Sequence, residues 1–83
     1  MSIEQVMRER LQAAFQPTAL QVVNESHRHK GHAGDDGSGE SHFAVIIRAP
    51  ALAALGSAAR HRAVHQALGD VVGRIHALSV DAG

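Results

Sequence analysis

Apolar and polar positions at the start of the chain recur with the period of an amphipathic helix. Ser2 and Gln5 have the spacing of a capping box, which predicts a helix that begins after Ser2 and runs to about Phe15. Pro17 ends this helix, because the residue before a proline is disfavoured in the helical conformation. The residues at helical spacing that predict its buried stripe are Ile3, Val6, Met7, Leu11, Ala14 and Phe15.

Two runs with β character follow, and a long polar segment separates them. Residues 20–25 predict a short strand, and residues 42–48 predict the clearest strand of the chain. The two-residue period of the second strand divides its apolar side chains into two faces, Phe43, Val45 and Ile47 on one and Ala44 and Ile46 on the other. Residues 26–41 are rich in Gly, Ser, Asp and His and have no hydrophobic period, so they predict a long loop. The simplest arrangement is an antiparallel hairpin.

The second half of the chain predicts a helical turn and then a longer helix. Residues 51–55 fit a single turn after Pro50, and residues 58–72 have a helical pattern. Ser57 is predicted to be the N-cap of the longer helix, and Gly73 is placed like its C-cap. The apolar face of this helix is predicted to contain Ala63, Val64, Ala67, Leu68 and Val71.

The chain finishes with a predicted strand over residues 75–80, in which His76, Leu78 and Val80 share one face. The element order is therefore α-β-β-α-α-β, which predicts the α+β class. We expect a small three-stranded mixed sheet with helices packed on one face. Because the pattern contains no repeat and no linker, residues 1–83 are predicted to form a single domain.

Composition narrows the class of protein. The chain has 83 residues, 45% of them hydrophobic, so one small core is feasible, but without cysteine no disulfide supports it. The absence of cysteine also fits a reducing compartment. No apolar run approaches the roughly 20 residues that cross a bilayer, and the first residues lack the order of a signal peptide. We therefore expect a cytoplasmic protein that does not bind membranes. Eight basic residues balance eight acidic ones, which argues against a general polyanion binder.

Histidine is the most informative residue type in this sequence. Three of the seven histidines lie in one basic run, which contains His27, Arg28, His29, Lys30 and His32. Another, His76, lies at the start of the last predicted strand. Imidazole titrates near neutral pH and binds transition metals when it is neutral. On the residues alone, a histidine that begins a strand is more often structural than a ligand. The three in the loop fit either solvated side chains or a weak site for nickel, copper or zinc.

Four motifs occur in a specific order and spacing along the chain. They are Val23-Asn24-Glu25-Ser26-His27-Arg28-His29, then Ser41-His42-Phe43, Arg60-His61-Arg62 and Ile75-His76-Ala77-Leu78-Ser79. In this order they resemble the BolA family, over residues 3–82. The resemblance implies a fold similar to class II KH domains and a non-enzymatic, cytosolic partner of a monothiol glutaredoxin. The two proteins would share a [2Fe–2S] cluster, for cluster delivery or for iron and redox regulation. The alternative that the family implies is a transcriptional regulator of the BolA type, which binds duplex DNA.

The resemblance also implies which residues of this chain bind the cluster. His76 matches the cluster ligand in the last strand, and His29 matches the loop position that holds His or Cys in the family. An aromatic residue often follows Asn-Glu-Ser in relatives, whereas His27 stands here, so the loop ligand stays open and His32 is the less favoured alternative. The glutaredoxin and glutathione would supply thiolates, and no cofactor is expected in the isolated chain. Because two imidazoles in place of thiolates raise the potential of such a centre, a transfer or sensing role is expected.

A second basic group lies near the start of the longer helix. Arg60, His61 and Arg62 oppose the helix dipole there, and an anionic partner would offset this. DNA phosphate and a carboxylate of a glutaredoxin or of glutathione are both candidates, with Arg28 and Lys30 of the loop contributing to the same surface. A plain solvated face is the structural alternative.

No catalytic constellation is found in the sequence. Ser41-His42 has no placed acid, and the same holds for Ser57 near His61. Neither a nucleophile elbow nor a Gly-rich phosphate loop occurs. We therefore expect a protein that is not an enzyme. The sequence leaves open whether the chain alone forms a weak homodimer.

Overall fold

The computed structural model describes residues 2–26 and 41–83, and the elements within them follow the predicted order. The helices are α1 (Ile3–Phe15), α2 (Pro50–Ala53) and α3 (Ser57–Leu68), and a 3-10 helix, η1 (Gly69–Arg74), follows α3 directly. The strands are β1 (Ala19–Asn24), β2 (His42–Arg48) and β3 (Ala77–Ala82). The predicted α+β class is confirmed. No helix in the described ranges is long and apolar enough to cross a bilayer.

The sheet is mixed, as the sequence predicts, with the strand order β1-β2-β3. β1 and β2 are antiparallel, with Val22 opposite Val45, so the predicted hairpin pairing is confirmed. β2 and β3 are parallel, with Val45 opposite Val80. A parallel pair needs a crossover, which α2, α3 and η1 provide.

One face of the sheet packs against the helices, and no helix in residues 2–26 and 41–83 covers the other. Alternation along β2 places Phe43, Val45 and Ile47 in the core, whereas Ile46 on the opposite face is 38% exposed. The buried apolar residues form one cluster: Met7, Leu11, Val22, Phe43, Val45, Ile47, Ala49, Leu52, Val64, Leu68 and Val71. The helices therefore cover a single face, as predicted.

α1 begins as the capping box predicts. The Ser2 hydroxyl accepts a hydrogen bond from the Gln5 backbone N–H at 3.1 Å, and Gln5 Oε1 accepts one from the Ser2 backbone N–H at 3.1 Å. The C-cap, Gln16, has the left-handed φ of 46°. The prediction that Ala14 is buried is wrong, since the larger Phe15 makes the core contact of the last turn and Ala14 is exposed.

The predicted ends of the longer helix are wrong on both sides. Gly56 is the N-cap of α3, while Ser57 is already helical and no side-chain capping bond is made there. At the other end α3 stops at Leu68, because Gly69 adopts φ 61° and ψ −128°, a conformation open to glycine and strained for other residues. Gly73, the predicted C-cap, lies inside η1.

Arg10 of α1 stabilises this early ending. Its Nη1 donates to the Leu68 carbonyl and to Asp70 Oδ1, both at 2.6 Å. The helix end thereby gains a cationic partner for one of its open carbonyls. The hydrogen bond and the charge of Arg10 also hold the pKa of the Asp70 carboxyl below its usual range.

The last strand begins two residues later than predicted and extends to Ala82. Its half-buried face consists of Leu78, Val80 and Ala82, so the prediction that His76 shares this face is wrong. Pairing with β2 sets the start, since the register places His42 opposite Ala77. His76 is therefore left in the bend before the strand.

Candidate metal centre

His76 combines a fixed backbone with an accessible side chain. The N–H groups of His76 and Ala77 donate to the Ser41 carbonyl at 2.8 and 3.1 Å, which holds this bend against the start of β2. The imidazole itself is exposed, and within the described part of the chain it makes a ring contact with His42 but no hydrogen bond. A metal ligand benefits from this combination, because the backbone orders the position before the ion arrives.

His42 is a residue of this site that the sequence reasoning missed. It is only 7% exposed, and its Nδ1 lies 2.8 Å from the Ser41 hydroxyl. Its ring centroid is 5.4 Å from that of His76, with the two planes 48° apart. The strand alternation puts His42 on the face opposite Phe43, but only the β2–β3 register shows that it is next to His76.

Ser26 ties together the two ends of the segment 27–40. Its hydroxyl accepts hydrogen bonds from the backbone N–H of Ser41 at 2.8 Å and of His42 at 3.0 Å. Ser26 is 4% exposed and Ser41 is fully buried, so these bonds are shielded from water. We call this set of contacts the Ser26 clamp. The Asn24 side chain supports it by accepting from the Ser26 N–H at 3.0 Å.

The Ser41-His42 pair is hydrogen-bonded, but its hydroxyl cannot act on a substrate. Ser41 has no exposed surface, and its Oγ is engaged with His42 Nδ1. The contact orients the His42 ring beside His76. We therefore assign the pair a positioning role.

The spacing of His42 and His76 is compatible with metal chemistry at this point. Two imidazoles that bind one ion through bonds of about 2 Å have centroids about 4.5 to 5.5 Å apart. No three His, Asp or Glu side chains in residues 2–26 and 41–83 lie together as a complete ligand group. A metal held by His76 therefore needs donors from residues 27–40 or from another molecule.

The predicted loop ligands fall in that segment. His29, the less favoured His32 and the alternative His27 all lie outside the described residues, as do Arg28 and Lys30. The assignment of these five residues stays a prediction.

A shallow cavity of about 200 Å³ lies beside His76, and His65 of α3 contributes to its wall. The rest of the lining is Val72, Ile75, Ala77 and Leu78. Burial lowers the pKa of His65, and the charge of the nearby His61 lowers it further. One side of the candidate ligand therefore combines apolar side chains with a second imidazole, that of His65, whose lowered pKa favours its neutral form.

The three basic residues near the start of α3 differ in their contacts: Arg60 is hydrogen-bonded within the protein, whereas His61 and Arg62 are exposed. Arg60 Nε donates to the Leu52 carbonyl at 2.8 Å, and its Nη2 donates to the Ala53 carbonyl at 3.2 Å. Arg60 therefore closes the end of α2, a role that the sequence did not indicate. His61 and Arg62 are exposed and available to a partner.

Fold and site together define a small α+β protein that presents one fixed, exposed histidine at the head of a parallel strand. Residues 11–83 match the family model of the BolA-like proteins. The chain belongs to the BolA family.

Individual relatives agree with this assignment. The chain is 43% identical over 83 residues to an uncharacterized protein in the cobS 5′ region of Sinorhizobium sp, covering 98% of this chain and 89% of the relative. It is 40% identical over 79 residues to the DNA-binding transcriptional regulator BolA of Vibrio cholerae, covering 94% and 71%. Among solved structures, BolA1 from Arabidopsis thaliana superimposes with a TM-score of 0.86 at 33% identity, covering 99% of this chain and 90% of that one.

Proposed function

We propose that this protein is a non-enzymatic partner of a monothiol glutaredoxin and shares a [2Fe–2S] cluster with it. The observation that carries the proposal is the exposed imidazole of His76 on a backbone fixed by the Ser41 carbonyl. The glutaredoxin itself follows from the family resemblance. The role that fits is cluster delivery or iron and redox regulation.

The donor chemistry of the chain fits such a cluster. His76 would supply one nitrogen and His29 a second, with His32 as the less favoured choice. The chain has no cysteine, so the sulfur ligands would be the thiolates of the glutaredoxin and of glutathione. When bound, a cluster with mixed nitrogen and sulfur ligands supplies one-electron chemistry at a higher potential than an all-thiolate one.

The residues around His76 would each contribute to holding the cluster. Ser41 fixes the backbone of His76 through its carbonyl and orients the His42 ring through its hydroxyl. The cavity beside His76 would place the side chains of Val72, Ile75 and Leu78 next to the cluster. Since a protonated imidazole cannot bind a metal, cluster binding should weaken as the solution is acidified.

The test is anaerobic reconstitution of the chain with a monothiol glutaredoxin, glutathione, iron and sulfide. Near-ultraviolet and visible spectra would be compared for the wild type and for His29→Ala, His32→Ala and His76→Ala. We expect His76→Ala to abolish the spectrum of the shared cluster and His29→Ala to weaken or change it. His61→Ala, which removes an exposed histidine outside the head of β3, is the matched control at saturating glutaredoxin. An unchanged spectrum for His76→Ala would refute the proposal.

DNA binding is the second candidate, and the name of the Vibrio cholerae relative, a DNA-binding transcriptional regulator, favours it. In this chain the exposed cations His61 (when protonated), Arg62 and Arg74 would contact phosphate, because Arg60 is already engaged with α2. Under this alternative, log affinity for duplex DNA falls steeply with log salt, and Arg62→Ala reduces that slope. His76→Ala would then have little effect on binding, the opposite of its expected effect on the cluster.

A further inference from the structure

His61 and His65 are a second pair of histidines, one turn apart on α3. Residues at i and i+4 lie on the same face of a helix, so their side chains meet. The two rings are stacked, with centroids 4.4 Å apart and planes 28° from parallel. This ring contact is different from that between His42 and His76, although His65 also lines the cavity beside His76.

One nitrogen of this pair lacks a partner. His65 Nε2 is buried and has no hydrogen-bond partner among residues 2–26 and 41–83. A buried polar atom in this state is unfavourable, because it has lost water and gained nothing in return. Burial also lowers the pKa of His65, which favours the neutral form that can bind a metal.

We propose that His61 and His65 form a bidentate site for a divalent transition-metal ion on α3. The centroid separation of 4.4 Å is close to the lower end of the roughly 4.5 to 5.5 Å expected for two imidazoles on one ion. Binding requires the exposed ring of His61 to turn out of the stack, and this movement must also uncover the buried Nε2 of His65 so that both lone pairs point to the ion. An ion there gives the orphaned nitrogen of His65 a partner.

The chemistry of the pair selects the kind of ion. Two imidazoles favour copper(II) over nickel(II) and zinc, following the general order of affinities for nitrogen ligands. No third His, Asp or Glu in the described ranges completes a ligand group. Water would therefore fill the remaining positions, and the affinity should be modest.

The test uses copper(II) chloride and the folded full-length chain, in a background that removes competing histidines. This background carries His27→Asn, His29→Asn, His32→Asn and His76→Asn, and circular dichroism checks its fold. Amide NMR spectra would be recorded at copper below one equivalent, since the paramagnetic ion broadens the signals of nearby residues. Isothermal titration would give the stoichiometry. We expect selective broadening around residues 61–65 and one ion per chain.

Two single variants in this background decide the outcome. His65→Asn and the exposed His61→Asn should each remove the broadening on α3 and weaken copper binding at least tenfold. The proposal is overturned if α3 signals stay sharp while copper binds elsewhere, or if both variants bind as the background does. Nickel and zinc should bind more weakly than copper, and equal binding of all three ions would contradict the two-imidazole site.

Discussion

Replacement of Ser26 by alanine removes a single oxygen atom but should lower the free energy of unfolding strongly. The Ser26 hydroxyl accepts from two backbone N–H groups, those of Ser41 and His42. Alanine removes the acceptor and leaves both donors in place. Since Ser26 is 4% exposed and Ser41 is fully buried, bulk water does not reach these donors directly.

The size of the effect follows from the two hydrogen bonds that are lost. Removing the acceptor of a buried N–H costs about 1 to 3 kcal/mol. A water molecule admitted in place of the hydroxyl would recover part of this, so about 2 to 4 kcal/mol is expected for the pair. With a urea dependence of about 1 kcal/mol per molar for a chain of this size, the midpoint should fall by roughly 2 M or more.

Urea unfolding followed by circular dichroism measures this loss, with Ser57→Ala as the matched control. Ser57 is exposed and α3 has no side-chain capping bond there, so its replacement should change stability by less than about 0.5 kcal/mol. If Ser57 were the N-cap that the sequence suggests, the same change would cost about 1 kcal/mol. Equal, small losses for the two variants would refute the Ser26 clamp.

Three further changes test other contacts. Arg60→Ala should lower the free energy of unfolding in urea by about 1 to 2 kcal/mol, because two carbonyls at the end of α2 lose a charged donor. Replacement of the exposed Arg62 by alanine should lower it by less than about 0.5 kcal/mol. Equal losses for the two variants would contradict the role of Arg60. Gln16→Gly should stabilise by about 0.5 to 1 kcal/mol, since glycine adopts the observed φ of 46° without strain, and a loss of stability would exclude that reason. The pKa of His65 is lowered from 6.5 in the folded chain. Just below pH 6.5 the unfolded chain therefore binds more protons than the folded chain. The free energy of unfolding consequently decreases as the pH falls from 6.5 towards the lowered pKa. His65→Asn should therefore reduce the loss of unfolding free energy between pH 7 and pH 5, which urea titrations at several pH values would measure, and an unaltered pH profile would count against a lowered pKa.

The sequence predicted best the elements whose signals are local. The capping box of Ser2 and Gln5 marks the start of α1, and the alternation of Phe43, Val45 and Ile47 marks β2 and its buried face. Both signals arise from neighbours a few residues apart, so no tertiary contact is needed to interpret them. The antiparallel pairing of β1 and β2 also followed, since it is the simplest arrangement of consecutive strands.

The end of α3 shows why other boundaries could not be predicted. Gly69 and Gly73 are both residues that can terminate a helix, and the helical pattern of apolar residues continues through Val71. Arg10 of α1 stabilises the termination of α3 at Gly69, because it donates a hydrogen bond to the Leu68 carbonyl. A contact between residues so far apart in the chain leaves no local signal.

The same limit applies to the candidate site, where the sequence named a candidate ligand but not the contacts that support it. Motif resemblance identified His76, but the role of His42 depends on the register of a parallel strand pair. Ser26 stood in a quoted motif, yet its two acceptor contacts require the chain to return at Ser41. Pattern and resemblance thus name the candidate ligand, and tertiary structure shows the residues that fix its position.

These supporting contacts connect His76 to the two residues, Ser26 and Ser41, that flank the histidine-rich segment 27–40. Ser26, at one end of the segment 27–40, is hydrogen-bonded to Ser41 at the other end. The Ser41 carbonyl in turn accepts from the backbone N–H of His76. Ser26 and Ser41, which flank residues 27–40, therefore belong to one hydrogen-bonded unit with His76. If a loop histidine and His76 bind the same cluster, Ser26→Ala should weaken cluster binding with the glutaredoxin even under conditions where the chain remains folded, because the two ligands lose their common anchor. A variant that is destabilised yet binds the cluster as tightly as the wild type would show that the loop does not contribute a ligand through this anchor.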